Sequence, residues 1–134
     1  MSAWIEIGRD LDQLWVRLGR QFGPLTRAQR RFLNAVAEVD GIGISELAAH
    51  LDMSSAGATR MADALEALGY VVRVRPTGDA RHVDIRITEV GRAVHEDSNR
   101  FYIERLCQMG EALSASEAQQ LARLVHAWVH KETP

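Results

Sequence analysis

The side chains best suited to chemistry in this sequence are its arginines, and their spacing points to recognition of oxyanions. Lys131 is the only lysine among sixteen basic residues. Nearly every positive charge therefore sits on a planar guanidinium, which suits bidentate contact with phosphate or guanine. Arg60 follows a run of small and hydroxylated residues, Ser54, Ser55, Ala56 and Thr59. Side chains of that size let a backbone approach phosphates and base edges closely. Arg73, Arg75 and Arg81, with His82, collect positive charge on a second short segment. Arg27, Arg30 and Arg31 form a third cluster, open to phosphate contact, to an acidic ligand in a cleft, or to plain solvation.

Other chemistries find little support. The five histidines are scattered between His50 and His130, and there is no nucleophile elbow, phosphate-binding glycine loop, HExxH or cysteine pair. An enzyme is not expected, and neither is a cofactor. His126 and His130 have the i, i+4 spacing that can bring two imidazoles to one metal, but two ligands do not make a site. Cys107 is the only cysteine, which excludes an internal disulfide and fits a reducing compartment. No apolar run approaches the roughly 20 residues of a membrane helix, and the first residues lack the pattern of a secretory signal. A soluble cytoplasmic protein is the expectation.

The elements that must position these residues follow from periodicity and caps. The chain has 134 residues, 46% of them hydrophobic, enough for the core of one domain. Trp4, Ile7, Leu11, Leu14, Trp15, Leu18 and Phe22 recur every three or four residues, which predicts an amphipathic helix ended by Gly23-Pro24. Thr26 and Gln29 have capping-box spacing, opening a helix with Phe32, Leu33, Val36 and Ala37 on one face. A short helix over 44–51 and a turn at Asp52-Met53-Ser54 lead into a helix of about Ser55 to Leu68. Ser54 is its N-cap, Met61, Leu65 and Leu68 its buried stripe, and Gly69 its stop. Alternating β-rich runs over 70–75 and 82–87, joined by a Pro/Gly/Asp loop, predict a hairpin. Thr88 caps a long helix to about Ala112, and Ser114-x-x-Glu117 opens the last one. A tight helix pair followed by a two-stranded hairpin is a winged helix-turn-helix. The fold class is thus mainly α with a small β-hairpin wing (α+β), with N- and C-terminal dimerisation helices. Trp4, Trp15, Phe22, Phe101, Tyr102 and Trp128 all fall in the terminal helices, where they predict core or dimer interface.

The residues also carry a resemblance. Leu25-Thr26-x-x-Gln29, Glu46-Leu47-Ala48 and Ser54 through Thr59-Arg60-x-x-Asp63-x-Leu65-Glu66-x-x-Gly69-Tyr70-Val71 are the first part of it. Arg73, Asp79-x-Arg81 and Ile87-Thr88-Glu89-x-Gly91 continue in the same register. Together they resemble the MarR family of bacterial transcriptional regulators over about residues 25–92. The resemblance implies a homodimer whose helix after the turn enters the major groove of duplex DNA, with Arg81 at the wing tip in the minor groove. It also implies a small aromatic or phenolic effector, expected in a cleft between the second and the long helix; the pocket residues are unknown. Residues 1–134 are expected to form a single regulator domain. In it, 26–90 are the winged DNA-binding region and 1–23 plus 91–134 the helical dimerisation region. The expected DNA-binding residues are Ser54, Ser55, Ala56, Thr59, Arg60, Arg73, Arg75, Arg81 and His82, with Asp79 bracing the wing. Gly57 departs from the larger residue usual in the family, and Ala80 stands where a second arginine is common. The net charge of −2 runs against DNA binding and favours the alternative, a winged helix used for protein–protein contact. The facing of charge decides between them, so Asp63 and Glu66 are expected on the far side of their helix, paired with basic residues.

Overall fold

Arg27 ends the first helix earlier than its apolar stripe suggests. The computed structural model describes residues 1–39, 41–76 and 82–131. In it α1 spans Ser2–Leu18, and Arg27 Nη2 donates to the exposed carbonyls of Trp15 (3.0 Å) and Gly19. The chain then turns back as a two-stranded ribbon, β1 (Gln21–Phe22) against β2 (Leu25–Thr26). Phe22, expected on the helix, is buried in this ribbon, edge-on to Tyr102 with centroids 5.3 Å apart.

The capping box at Thr26 and Gln29 opens α2 (Arg27–Glu38) as expected. Then follow β3 (Ile42–Gly43), α3 (Ile44–His50), α4 (Ser55–Ala67), β4 (Val71–Val74), β5 (Asp84–Ile87), α5 (Glu89–Met109) and α6 (Ala115–His130). The sheet order is β3-β5-β4, antiparallel throughout. The hairpin β4–β5 pairs Val71 with Ile87 and Val74 with Asp84. The third strand, β3, was not legible in two residues of sequence.

One core holds the winged part together. Phe32, Leu33, Ala35 and Val36 of α2 meet Leu47 and Ala48 of α3, Ala58, Ala62 and Leu65 of α4, and Val71 and Ile85 of the sheet. The stripe of α4 differs from expectation. Leu65 is buried, but Met61 is only partly so and Leu68 is 53% exposed. Ala58 and Ala62 take the inward positions, and their small side chains let α4 lie close against α3.

Four residues join this core to α5. Gly69, at φ +80, reverses the chain after α4. Tyr70 N–H returns to Leu65 O (2.9 Å), and Thr88 N–H donates to Tyr70 O (3.0 Å). The Thr88 hydroxyl donates to Gly69 O (2.6 Å) and accepts from Gly91 N–H (3.0 Å). Gly91 lies so near that a Cβ there would overlap the Tyr70 carbonyl.

The terminal helices bury little of themselves. Within the chain α5 buries only Gly91 and Ser98, and α6 buries no residue. Ser98 Oγ donates to Phe22 O (2.8 Å), pinning the ribbon to α5. Trp4 meets Trp128 with ring centroids 5.5 Å apart, where α1 passes α6. No helix among the described residues is long and apolar enough to cross a membrane.

The Gly91 contact is backbone against backbone and cannot yield by a rotamer change. Gly91→Ala is therefore expected to lower unfolding free energy by about 2–3 kcal/mol, read from urea denaturation. An unchanged midpoint would show that the junction can open without cost.

Candidate nucleic-acid interface

The N-terminal turn of α4 is built to stand out from the core. Ser54 Oγ accepts from Gly57 N–H (3.0 Å), which satisfies one of the free amides of the first turn. A Cβ on Gly57 would sit 3.1 Å from that same Oγ, so the glycine leaves room for the cap. Ser54, Ser55, Ala56, Thr59 and Arg60 are all exposed. Thr59 donates its hydroxyl proton to Ser55 O (2.9 Å), leaving its oxygen able only to accept further. The buried residues Ala58, Ala62 and Leu65 lie on the opposite side of the helix.

Asp63 corrects the expectation that it faces away. Ala56, Thr59, Arg60 and Asp63 share one exposed stripe by helical periodicity, with Asp63 two turns beyond Ala56. Its charge is met where it stands. Arg73 Nη2 donates to Asp63 Oδ1 (2.7 Å), Nη1 to Glu66 Oε1 (2.8 Å), and Arg73 N–H to Glu66 Oε2 (3.1 Å). Partial burial alone would lower the Arg73 pKa, but the two carboxylates outweigh it and the net shift is upward. Both terminal nitrogens of Arg73, a residue expected at DNA, thus bond to carboxylates of α4, and the side chain clamps β4 to α4. The acid pair three apart on a helix, facing an arginine of the next strand, was a signal available in the sequence.

The wing is only partly described. Asp79 and Arg81 lie outside the described residues. Arg75 and His82 stand exposed on either side of that gap. His82 Nε2 is 2.6 Å from Asp84 Oδ1, and Asp84 is itself buried at the end of β5, beside Gly41. Sequence reasoning missed Asp84, because a single acid in an alternating strand reads as an outward position.

Behind the interface, α2 meets α5 through polar side chains. Arg30 stacks over the Tyr102 ring at 3.6 Å and donates to Asn99 Oδ1 (2.9 Å). Burial lowers the Arg30 pKa, with Tyr102 opposing. His95 Nε2 is 3.2 Å from Asn34 Oδ1. The place where a ligand cleft was expected is thus spanned by the chain's own side chains. Arg27 turns instead toward α1, 3.9 Å over the Trp15 ring, while Arg31 is exposed. His126 and His130 stack at 4.3 Å, and the described residues hold no group of three or more potential metal ligands.

This geometry has close counterparts. Residues 24–82 match the model of the MarR family. The similarity extends beyond the matched segment. A MarR-family protein from Bacillus stearothermophilus superposes with a TM-score of 0.82 at 24% identity, covering 97% of this chain and 95% of its own. Wild-type MarR from E. coli in its apo form gives 0.76 at 25% identity, over 89% and 93%. A mutant MarR from E. coli complexed with operator DNA gives 0.73 at 25%, over 92% and 94%. No curated protein matches the chain in sequence. Within the MarR fold, α3 and α4 form the helix-turn-helix and β4–β5 the wing.

The α2–α5 contact generates a pH prediction. Burial, then Arg30, lower the His95 pKa; Glu96 opposes them, with lesser contributions from Arg92 and Glu38. The unfolded chain then takes up this proton at higher pH than the folded one. Stability from His95 is full above the ordinary histidine range and declines as pH falls through it toward the lower folded value. The Tm loss between about pH 7.5 and about pH 5.5 is expected to be smaller in His95→Gln than in wild type. Identical losses in thermal melts would remove His95 from the acid response.

Proposed function

We propose that this protein is a regulator of the MarR family, a cytoplasmic homodimer that binds a pseudo-palindromic operator and acts as a repressor, released by a small-molecule effector. The observation that carries this reading is the exposed α4 face of Ser55, Ala56, Thr59 and Arg60, whose acidic neighbours Asp63 and Glu66 are held by Arg73. The likeness to a MarR bound to operator DNA supports it. In this reading α4 enters the major groove, with Ser54, Ser55, Ala56, Thr59 and Arg60 at phosphates and base edges. Arg75, Arg81 and His82 carry the wing to the flanking minor groove, and Asp79 braces Arg81. Residues 26–90 then serve as the DNA-binding region, and 1–23 with 91–134 as the dimerisation region.

The dimer is supported by what the terminal helices leave uncovered. Ile7, Leu11 and Leu14 of α1 and Leu121, Leu124, Val125 and Trp128 of α6 line an apolar groove of ≈ 400 Å³. Trp4, Trp15 and Trp128 remain 58%, 52% and 51% exposed, more apolar surface than a monomer ordinarily shows. Burying such side chains between two chains contributes about 1.5–3 kcal/mol each. Two-fold symmetry then sets operator half-sites about 10 bp apart.

Two measurements test the reading. Fluorescence anisotropy with DNA from upstream of the protein's own gene, at two salt concentrations and against unrelated competitor, is expected to show salt-sensitive binding that survives competition. Arg60→Ala should weaken it by about 1–3 kcal/mol at fixed salt. Absence of specific binding by refolded, ligand-free dimer would favour the protein–protein reading. Separately, Leu124→Asp should convert the dimer to monomer in light scattering, and a wild type that is monomeric at micromolar concentration would overturn the dimer.

A further inference from the structure

Three arginines, Arg20, Arg27 and Arg31, surround a cavity of their own. It lies where the β1–β2 ribbon meets the start of α2, and it is lined by Arg20, Gln21, Thr26, Arg27, Ala28 and Arg31, with a volume of ≈ 350 Å³. Three guanidinium groups border it, and among the described residues no carboxylate does. Such a concentration of like charge disfavours the folded state unless something answers it.

The three arginines differ in how far they are engaged. Arg27 is fixed: it stacks on Trp15 at 3.9 Å, and its Nη2 holds the last carbonyls of α1. Its Nε is buried and has no partner among the described residues. Arg20 and Arg31 are exposed, and their guanidinium groups make no hydrogen bond or ion pair with any described residue. The Thr26 and Gln29 side chains are spent on each other's backbone N–H. The cavity thus combines one immobilised guanidinium with two unengaged ones, in a volume that suits a small molecule.

We propose that this cavity binds a small multivalent oxyanion, a compound bearing a phosphoryl group or two or more carboxylates. Arg20 and Arg31 close on its oxygens as paired forks while Arg27 supplies fixed charge behind them. The site is distinct from the α2–α5 contact, which Arg30, Asn99 and Tyr102 fill. It deepens the proposed regulation by naming an effector class, and to that extent rests on it. Because Arg27 also holds the end of α1, an anion here acts on the joint between the α1 helix and the winged part.

The test uses the full-length protein without DNA, so that it stands apart from the operator reading. Inorganic phosphate and citrate are titrated by calorimetry at constant ionic strength, with chloride as the control, on wild type, Arg20→Gln and Arg31→Gln. Arg27 is left intact because its loss would disturb α1. Saturable binding of either anion, weakened about tenfold or more by each substitution at unchanged circular dichroism and Tm, is the expected result. Wild type that binds neither anion beyond the chloride control overturns the proposal. So does binding that both variants retain, which would place the anion elsewhere. If the variants lose operator affinity while free anions do not bind, the cavity is a contact for the DNA backbone and the effector assignment fails.

Discussion

The close approach of Gly91 to the Tyr70 carbonyl governs how the rest of the molecule is arranged. Four hydrogen bonds converge there within a few residues, from Tyr70, Thr88 and Gly91. They fix the end of α4, the root of the wing and the start of α5 as one rigid joint. A side chain at position 91 would push α5 away from the hairpin, and the exposed α4 face would swing with it. Geometry at the interface is therefore set by a contact that touches none of the interface residues.

Electrostatics at the same face follows from a second economy of position. The molecule carries a net charge of −2, and Asp63 lies on the very stripe that carries Arg60. Arg73 meets Asp63 and Glu66 together, so the acids hold β4 to α4 and part of their negative charge on the outward face is offset. Exposed pairs of this kind contribute little to stability. Their value lies in the local potential, which the global charge does not report.

The parts of this architecture that depend on local signals were legible in the sequence. Caps at Thr26, Ser54, Thr88 and Ser114 all formed where their spacing placed them, and the stop at Gly69 held. What required tertiary contact was not legible. The ribbon at Phe22 exists because Arg27 caps α1 and because Phe22 finds Tyr102 some eighty residues further on. The inward face of α4 turned on which residues α3 could accommodate, and small alanines won over Met61 and Leu68. Of the candidate site, the stripe from Ser54 to Arg60 was readable from residue type and spacing. That Asp63 and Glu66 would be paired with a basic residue was also legible, whereas the placement of Asp63 on the outward stripe and the burial of Asp84 needed the fold.

The helix α6 shows a different kind of dependence. None of its sixteen residues is buried within its own chain, and an isolated helix of that length is marginal in water. Whatever order it keeps must be supplied by its capping box, by Trp4 and by a surface outside the chain. In a dimer, folding of this helix and assembly become a single equilibrium, so the competent population varies in dilute conditions as the square of chain concentration. In the proposed homodimer this coupling sets a threshold in expression level: small changes in synthesis become larger changes in the population of assembled protein, before any ligand intervenes.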